Sequence, residues 1–161
     1  MRKTKRPQKR YYIAYGSNLN ILQMLTRCPD AKIVGTAELE GWQLLFKGSK
    51  TGFYLTIEKE EFCTVPVAVW EISPSDEQAL DIYEGYPHFY YKYDIELSVK
   101  SVQTKRKRKI NAFAYIMKGD RPIGMPTRRY WETCNQGYRS FNFDPKFLED
   151  ALEISQEVCY G

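Results

Sequence analysis

The chain has 161 residues, with 24 Lys and Arg against 20 Asp and Glu, and a formal net charge of +4. This length is typical of one domain. Folding buries roughly 70% of the unfolded surface at this size, so the core needs no metal or disulfide for stability. The four cysteines form no C-x-x-C pair, which argues against a zinc site or a redox pair. We expect reduced thiols in a cytoplasmic protein.

Two basic runs account for the positive charge. Residues 1–10 carry six Lys and Arg, residues 100–109 carry six more, and neither run contains an acid. The rest of the chain has 12 bases against 20 acids, a net charge of −8. Basic runs can bind nucleic acid by neutralising phosphates, but these lack interleaved aromatic residues and a recognition helix. We therefore favour a solvated tail and a hairpin tip, and assign residues 1–10 to a basic tail and 11–161 to one domain.

The N-terminal basic run is not followed by a long apolar segment. Only a few apolar residues separate it from Gly16, too few for the apolar region of a signal peptide. No other segment has the pattern of a transmembrane span, and we expect no association with a membrane.

The first predicted strand, residues 11–14, ends abruptly at Tyr15-Gly16-Ser17-Asn18, which we call the YGSN turn. A helical apolar pattern follows at once, with Leu19, Leu22, Met24 and Leu25. One interpretation is that the turn leaves backbone N–H groups unpaired at a helix start, where they attract an anion. The alternative is that Ser17 or Asn18 only caps the helix.

The middle of the chain favours β structure. Four short strands are predicted at 32–38, 41–47, 53–58 and 64–72, separated by glycines and charged clusters. A helix then begins at Ser73, with Pro74 at its first position and acids in its first turn, and ends at Gly85.

From His88 the sequence alternates strictly, which predicts a long strand with Phe89, Tyr91, Tyr93, Ile95, Leu97 and Val99 on one face. The basic residues 105–109 turn this strand into a partner at 110–117. Two helices close the chain, one after Pro126 and one capped by Asp144.

Glu84 lies in the last turn of the predicted helix after Ser73. At 100° per residue it sits at the edge of the apolar face, next to Leu80. The helix C-terminus and partial burial both disfavour its charge and raise its pKa, as a general base requires. The alternative is a surface carboxylate bonded to a lysine, but Gly85 and Pro87 indicate a fixed chain path at this point.

Several motifs together resemble the γ-glutamylcyclotransferase-like family, which includes γ-glutamylamine cyclotransferases and plant avirulence-induced (AIG2-like) proteins. In chain order they are YGSNL at 15–19, RCPDA at 27–31, ALDIYEGYPHFY at 79–90, MPTRRY at 125–130 and GYRSFNFD at 137–144. The resemblance extends from about Tyr11 to about Leu152.

The resemblance implies a small α+β fold built on a mixed, barrel-like β-sheet with a few peripheral helices. It implies that Glu84 is the catalytic base of a cyclotransferase that releases 5-oxoproline from a γ-glutamyl compound, with no metal and no cofactor. The implied substrate-binding residues are Tyr15, Gly16, Ser17, Asn18, Leu19, Tyr90 and Tyr130. Free γ-glutamyl amino acids, γ-glutamyl-ε-lysine and other γ-glutamylated metabolites all fit this pattern.

Other mechanisms have little support in the sequence. His88 is the only histidine and has no nearby acid to orient it, so a Ser-His or Cys-His hydrolase is disfavoured. The alternative from another class is a non-catalytic module on the same fold that binds anions or nucleic acid through the basic runs. Glu84 argues against it, because a carboxylate at the pocket would repel an anion. The sequence leaves the oligomeric state open.

Overall fold

The computed structural model of the protein describes residues 9–161. Within these residues the strands are β1 (Arg10–Ala14), β2 (Lys32–Ser49), β3 (Gly52–Ile72), β4 (Tyr90–Ser101) and β5 (Lys107–Met117). The helices are α1 (Ile21–Arg27), α2 (Pro74–Glu84), α3 (Arg128–Ser140) and α4 (Lys146–Tyr160). A 3₁₀ turn at Ser17–Leu19 joins β1 to α1.

The strands form a closed barrel in the order β1-β3-β2-β4-β5. Neighbouring strands are antiparallel except at the closure, where β1 runs parallel to β5 and Tyr12 pairs with Phe113. The closing seams are short, since β2 pairs with β4 at Gly35 and Thr36 and β1 pairs with β5 at Tyr12. The expectation of a small α+β fold on a mixed, barrel-like sheet is confirmed.

The prediction of four short strands in the middle of the chain was wrong. The segments join in pairs into β2 and β3, which form one long antiparallel hairpin. The breaks expected near 39–40 and 59–63 face each other at a single irregularity, where the register shifts between Glu40 and Trp42. The charged residues at 59–61 are exposed, and residues 60–63 have no register partner in β2, so a bulge joins the two paired halves of the hairpin.

The predicted helix after Ser73 is confirmed as α2. The Ser73 side chain accepts a hydrogen bond from the Asp76 N–H, and the Asp76 carboxylate accepts one from the Ser73 N–H, at 3.2 and 3.1 Å. Gly85 ends the helix in the left-handed conformation, with φ of 62°. Later in the chain, Asp144 accepts a hydrogen bond from the Lys146 N–H at 2.9 Å, but the N-cap of α4 is Pro145 and not the predicted Asp144.

The apolar pattern predicted for α1 holds only in part. Leu19 and Met24 are fully buried, but Leu22 is 78% exposed and Leu25 is 42% exposed. The reason is that the 3₁₀ turn takes up residues 17–19 and α1 starts only at Ile21, which changes the face that each residue occupies.

Charged side chains hold α2 against the barrel. Lys92 of β4 pairs with Glu77 at 2.7 Å and with Asp81 at 2.8 Å, and both acids lie on α2. The Tyr115 hydroxyl on β5 donates to Asp81 at 2.6 Å. Because Lys92 is mostly buried, this cluster is screened less than a surface ion pair, and it fixes the helix that carries Glu84.

Helix α3 packs directly on the 3₁₀ turn through Gly137. A Cβ at this position would lie 2.7 Å from the carbonyl carbon of Leu19 and 2.8 Å from the Asn20 nitrogen. The Asn20 side chain also donates to the Thr133 carbonyl and to Gln136 on α3, at 3.2 and 3.0 Å. The helix and the turn therefore form one packed unit.

The predicted basic tail falls mostly on residues 1–8, which lie outside the described residues. Arg10 belongs to β1 rather than to a tail, because it pairs with Ile72 and forms an ion pair with Glu77 at 2.8 Å. The basic run at 105–109 lies at the tip of the β4–β5 hairpin and in the first residues of β5, and it is exposed. Among residues 9–161, every helix is too short or too polar to cross a membrane.

We predict that Gly137→Ala destabilises the protein by about 1–3 kcal/mol, because the added methyl group must displace the backbone of the turn. Thermal unfolding measures the loss. Gly119→Ala is the matched control, since a Cβ there has no atom within 4 Å, and it should leave the melting temperature nearly unchanged. Equal melting temperatures for the two variants would contradict close packing at Gly137.

Candidate active site

The YGSN turn leaves the C-terminal end of β1 with free backbone donors. The N–H groups of Leu19 and Asn20 bond to the carbonyls of Gly16 and Ser17, at 3.0 Å each. The N–H groups of Gly16, Ser17 and Asn18 have no acceptor within residues 9–161. These three groups are available to a bound anion.

The alternative interpretation of the turn, that Ser17 or Asn18 caps the helix, is wrong. Asn20 caps α1, and its side chain accepts a hydrogen bond from the Gln23 N–H at 3.2 Å. The Ser17 hydroxyl instead pairs with the Tyr83 hydroxyl at 3.0 Å, and Asn18 bonds to Tyr12. Both side chains thus bond to residues that line a pocket and do not cap the helix.

A pocket of about 420 Å³ lies between this turn and the end of α2. Among the residues singled out in the sequence, it is lined by Tyr15, Gly16, Ser17, Asn18, Glu84, Tyr90 and Tyr130. Segments 70 residues apart along the chain therefore meet at one cavity. Leu19 is different, because it is fully buried beneath the turn and does not line the pocket. His88 does not line it either.

Glu84 is the only charged residue among those that line the pocket. It is the last residue of α2 and forms no ion pair with any residue that the structure describes. Burial of its carboxyl group raises its pKa to about 8, and the positive charge of Arg27 opposes this rise only in part. The sequence predicted this direction, and the desolvation predicted from the helix edge is its main cause.

Arg27 is a site residue that the sequence did not reveal. Its guanidinium lies over the Tyr83 ring, 3.4 Å from the ring centroid, and donates a hydrogen bond to the Asn18 side-chain oxygen. It forms no ion pair with a carboxylate among residues 9–161. Only the packing of α1 against α2 brings Arg27 to Tyr83, and no sequence motif encodes that contact.

Other pocket residues were also missed. They are aromatic or apolar, and they include Tyr12, Tyr54, Leu55, Ile82, Phe89 and Tyr115. Tyr12 and Tyr115 occupy strand positions where an inward aromatic side chain suggests ordinary core packing. The one available signal was the number of tyrosines, 13 in the whole chain, whose polar hydroxyls need partners when buried.

The glycine in the YGSN turn has a packing role of its own. A Cβ at Gly16 would lie 3.3 Å from the Leu55 Cβ and 3.4 Å from the Tyr130 hydroxyl. The Tyr130 hydroxyl in turn accepts a hydrogen bond from the Leu55 N–H at 3.0 Å. The absence of a side chain at Gly16 therefore lets β3 and α3 close around the turn.

The fold and the site define a class of protein. It has a five-stranded α+β barrel, and one desolvated carboxylate shares the pocket with unpaired backbone N–H groups. Residues 12–133 match the model of the family described as "Gamma-glutamyl cyclotransferase, AIG2-like", and the chain belongs to this family. Membership supports a γ-glutamyl cyclotransferase activity in general and confirms the resemblance inferred from the motifs.

Solved structures share the fold. A structure named "Gamma-glutamyl cyclotransferase" has a TM-score of 0.74 and 24% identity, covering 89% of this chain and 86% of its own. The uncharacterized protein loc79017 from Homo sapiens has a TM-score of 0.72 and 25% identity over the same shares. YkqA from Bacillus subtilis has a TM-score of 0.69 and 19% identity, covering 92% of this chain and 55% of its own. No significant match was found among curated proteins.

We predict that Glu84→Gln stabilises the folded protein increasingly as the pH rises from 5 to 8. The native pKa of about 8 lies above the ordinary value of 4.5, so the native state holds this proton more tightly than the unfolded chain. The group's contribution to the free energy of unfolding therefore falls with rising pH between those values. Glutamine removes this dependence.

The expected gain at pH 8 is about 1–2 kcal/mol, less than the full pKa shift implies because part of Glu84 faces the open pocket. Thermal unfolding of wild type and variant at each pH measures it. Glu61→Gln, at an exposed site, controls for the loss of one carboxylate. A difference between Glu84→Gln and wild type that stays constant with pH would show that Glu84 has an ordinary pKa.

Proposed function

We propose that the protein cleaves a γ-glutamyl amide by intramolecular attack of its own α-amine, releasing 5-oxoproline and a free amine or amino acid. The observation that carries this proposal is the desolvated carboxylate of Glu84, which shares one pocket with the three free N–H groups of the YGSN turn. A base and a set of anion donors are the two parts that this reaction needs.

The base step depends on matched pKa values. The pKa of Glu84 is about 8, and a reference α-amino group has a pKa of roughly 7.7–8.0. The free energy of proton transfer from the substrate ammonium to Glu84 is then close to zero. This suits a carboxylate that accepts a proton in one step and returns it in the next. The bound ammonium is a positive charge beside Glu84 and stabilises its ionised form.

In the bond-forming step, the α-amine nitrogen attacks the γ-carbonyl carbon and a pair of electrons moves to the carbonyl oxygen. The oxyanion is stabilised by the free N–H groups of the turn. When the carbonyl re-forms, the bond to the leaving nitrogen breaks and Glu84 delivers a proton to that nitrogen. The attacking nitrogen loses two protons and the released amine gains two as it becomes an ammonium, so no co-reactant is needed.

The pocket supplies the remaining requirement, which is to hold the substrate curled. Its volume of about 420 Å³ lies in the range of small-molecule sites, and half of its lining residues are aromatic. Well-oriented intramolecular attack reaches effective molarities on the order of 10⁵ M or more. Among residues 9–161 no cluster of three His, Cys, Asp or Glu side chains fits a metal ion, and none of the steps above is assigned to one.

The proposal is tested by mass-spectrometric detection of 5-oxoproline from a panel of γ-glutamyl amino acids, γ-glutamyl-ε-lysine and γ-glutamyl alkylamines. We expect release from at least one class and not from the matching α-glutamyl compounds, which cannot form the five-membered ring by this attack. A salt-dependent gel shift with RNA and DNA, run in parallel, tests the binding-module alternative. Nucleic-acid binding without any 5-oxoproline release would overturn the proposal.

We predict that Glu84→Gln lowers kcat by about 10²- to 10⁴-fold on any substrate that the wild type accepts, with a smaller change in KM. The amide keeps the size of the side chain but cannot take the ammonium proton. Glu61→Gln should retain wild-type rates. A folded Glu84→Gln protein that works at near wild-type rate would remove Glu84 from the mechanism.

The wild-type pH profile should also identify the base. Because Glu84 must be ionised, kcat/KM is expected to fall as the pH drops below about 8. The bound ammonium lowers the pKa of Glu84, so the corresponding limb of kcat should lie at lower pH. If the acid limbs of kcat and kcat/KM instead coincide well below pH 6, the base is not desolvated.

A further inference from the structure

Five largely buried tyrosines line the pocket, and the hydrogen bonds of their hydroxyls differ. They are Tyr12, Tyr15, Tyr90, Tyr115 and Tyr130. A phenolic hydroxyl has a single proton, so it donates only once. A tyrosine that donates to a fixed protein group therefore has no proton left for a ligand.

Three of the five donate to the protein. The Tyr15 hydroxyl donates to the Tyr115 carbonyl, the Tyr90 hydroxyl to the Leu55 carbonyl at 2.9 Å, and the Tyr115 hydroxyl to Asp81. The Tyr130 hydroxyl accepts a bond from the Leu55 N–H at 3.0 Å. The first three therefore have no proton left for a ligand, whereas Tyr130 is seen only to accept.

Tyr12 also accepts, and its proton direction follows from its neighbours. The Arg27 guanidinium is a donor only, so the Asn18 atom that faces it must be the side-chain oxygen. The Asn18 amide nitrogen then faces the Tyr12 oxygen, at 2.9 Å. Because that nitrogen is also a donor only, the Tyr12 oxygen must accept.

The Tyr12 proton is consequently left without a protein acceptor among residues 9–161, and Tyr12 lines the pocket. Burial, and then the negative charge of Glu84, hold the pKa of Tyr12 well above its ordinary value. The hydroxyl therefore stays protonated at every pH where Glu84 titrates. Tyr12 and Glu84 line the same pocket, where the attacking amine and the carbonyl must meet.

We infer that Tyr12 is a catalytic residue whose hydroxyl donates a hydrogen bond to the oxyanion formed on the γ-carbonyl oxygen, with Arg27 and Asn18 as positioning residues that direct its proton into the pocket. This inference rests on the proposed function. It adds a side-chain donor to the backbone donors of the YGSN turn, and such mixed donor sets are common in acyl transfer.

The arrangement gives Arg27 a defined task. Arg27 does not line the pocket itself, but it fixes the orientation of the Asn18 amide, which does. It also needs no carboxylate partner for this purpose, which explains a guanidinium that stacks on Tyr83 without an ion pair among the described residues. The relay from Arg27 through Asn18 to Tyr12 is a chain of donors that ends at the substrate.

The first test is Tyr12→Phe, which keeps the ring contacts to Phe113 and Tyr115 and removes only the hydroxyl. We expect kcat to fall by about 10²-fold, the loss typical of one oxyanion donor, with KM changed much less. Tyr138→Phe is the matched control, since it deletes a buried hydroxyl that has no partner among the described residues and lies outside the pocket. It should retain wild-type kcat.

The second test reverses the direction of the relay. In Asn18→Asp, a carboxylate oxygen replaces the amide nitrogen that faces Tyr12, so the hydroxyl donates to Asp and its proton leaves the pocket. We expect kcat on the high-pH plateau, where Glu84 is ionised, to fall about as far as in Tyr12→Phe. In the double variant the two losses should not multiply, because both remove the same donor.

The outcomes separate the two proposals. If the wild type releases no 5-oxoproline from any panel member, the proposed function fails and the role of Tyr12 fails with it. If the wild type is active but Tyr12→Phe keeps its kcat, or if the two losses multiply in the double variant, only the role of Tyr12 is overturned. Should Tyr12→Phe not fold, an unchanged plateau kcat in Asn18→Asp overturns it equally.

Discussion

The site depends on keeping one carboxylate out of water. Glu84 gains its raised pKa from burial, and burial requires that the end of α2 stay pressed against the barrel. The contacts that hold it lie one and two helical turns earlier, where Asp81 and Glu77 meet Lys92. Acids on the same helix therefore have opposite roles. Two are neutralised by a lysine and anchor the helix, and the third lacks a close ion-pair partner among the described residues and lines the pocket.

The turn opposite Glu84 is rigid for a different reason. It is held by close backbone packing at Gly137 and by the Asn20 side chain, which caps α1 and bonds to α3 at the same time. The free N–H groups are thus fixed before any ligand arrives. Donors that need no reorganisation are what makes an electrostatic site effective.

Much of this was visible in the sequence. The cap at Ser73, the stop at Gly85, the position of Glu84 and the direction of its pKa shift all follow from local rules, because each depends on residues within one or two helical turns. Family motifs then connected the YGSN turn with Glu84. Without those motifs, the two segments could not have been placed together.

What the sequence missed depends on contacts distant along the chain. The joining of β2 and β3 across their charged residues, the stacking of Arg27 on Tyr83 and the placement of Tyr12 opposite Asn18 are set by barrel closure and helix packing. Leu19 was misplaced because an apolar residue next to a binding motif looks the same whether it faces the pocket or the core. No periodicity distinguishes these cases.

The parallel pairing of β1 with β5 also has a consequence for how the protein folds. Tyr12 pairs with Phe113, about 100 residues later in the chain, and the backbone of Leu19 packs against Gly137. Contacts of such sequence separation form slowly and late. The β2–β3 and β4–β5 hairpins can assemble as the chain emerges from the ribosome, whereas the pocket is completed only when α3 has been synthesised. The pocket is thus among the last regions to become ordered, and a chain cut short before α3 would lack Tyr130 in its wall and the Gly137 contact against the turn.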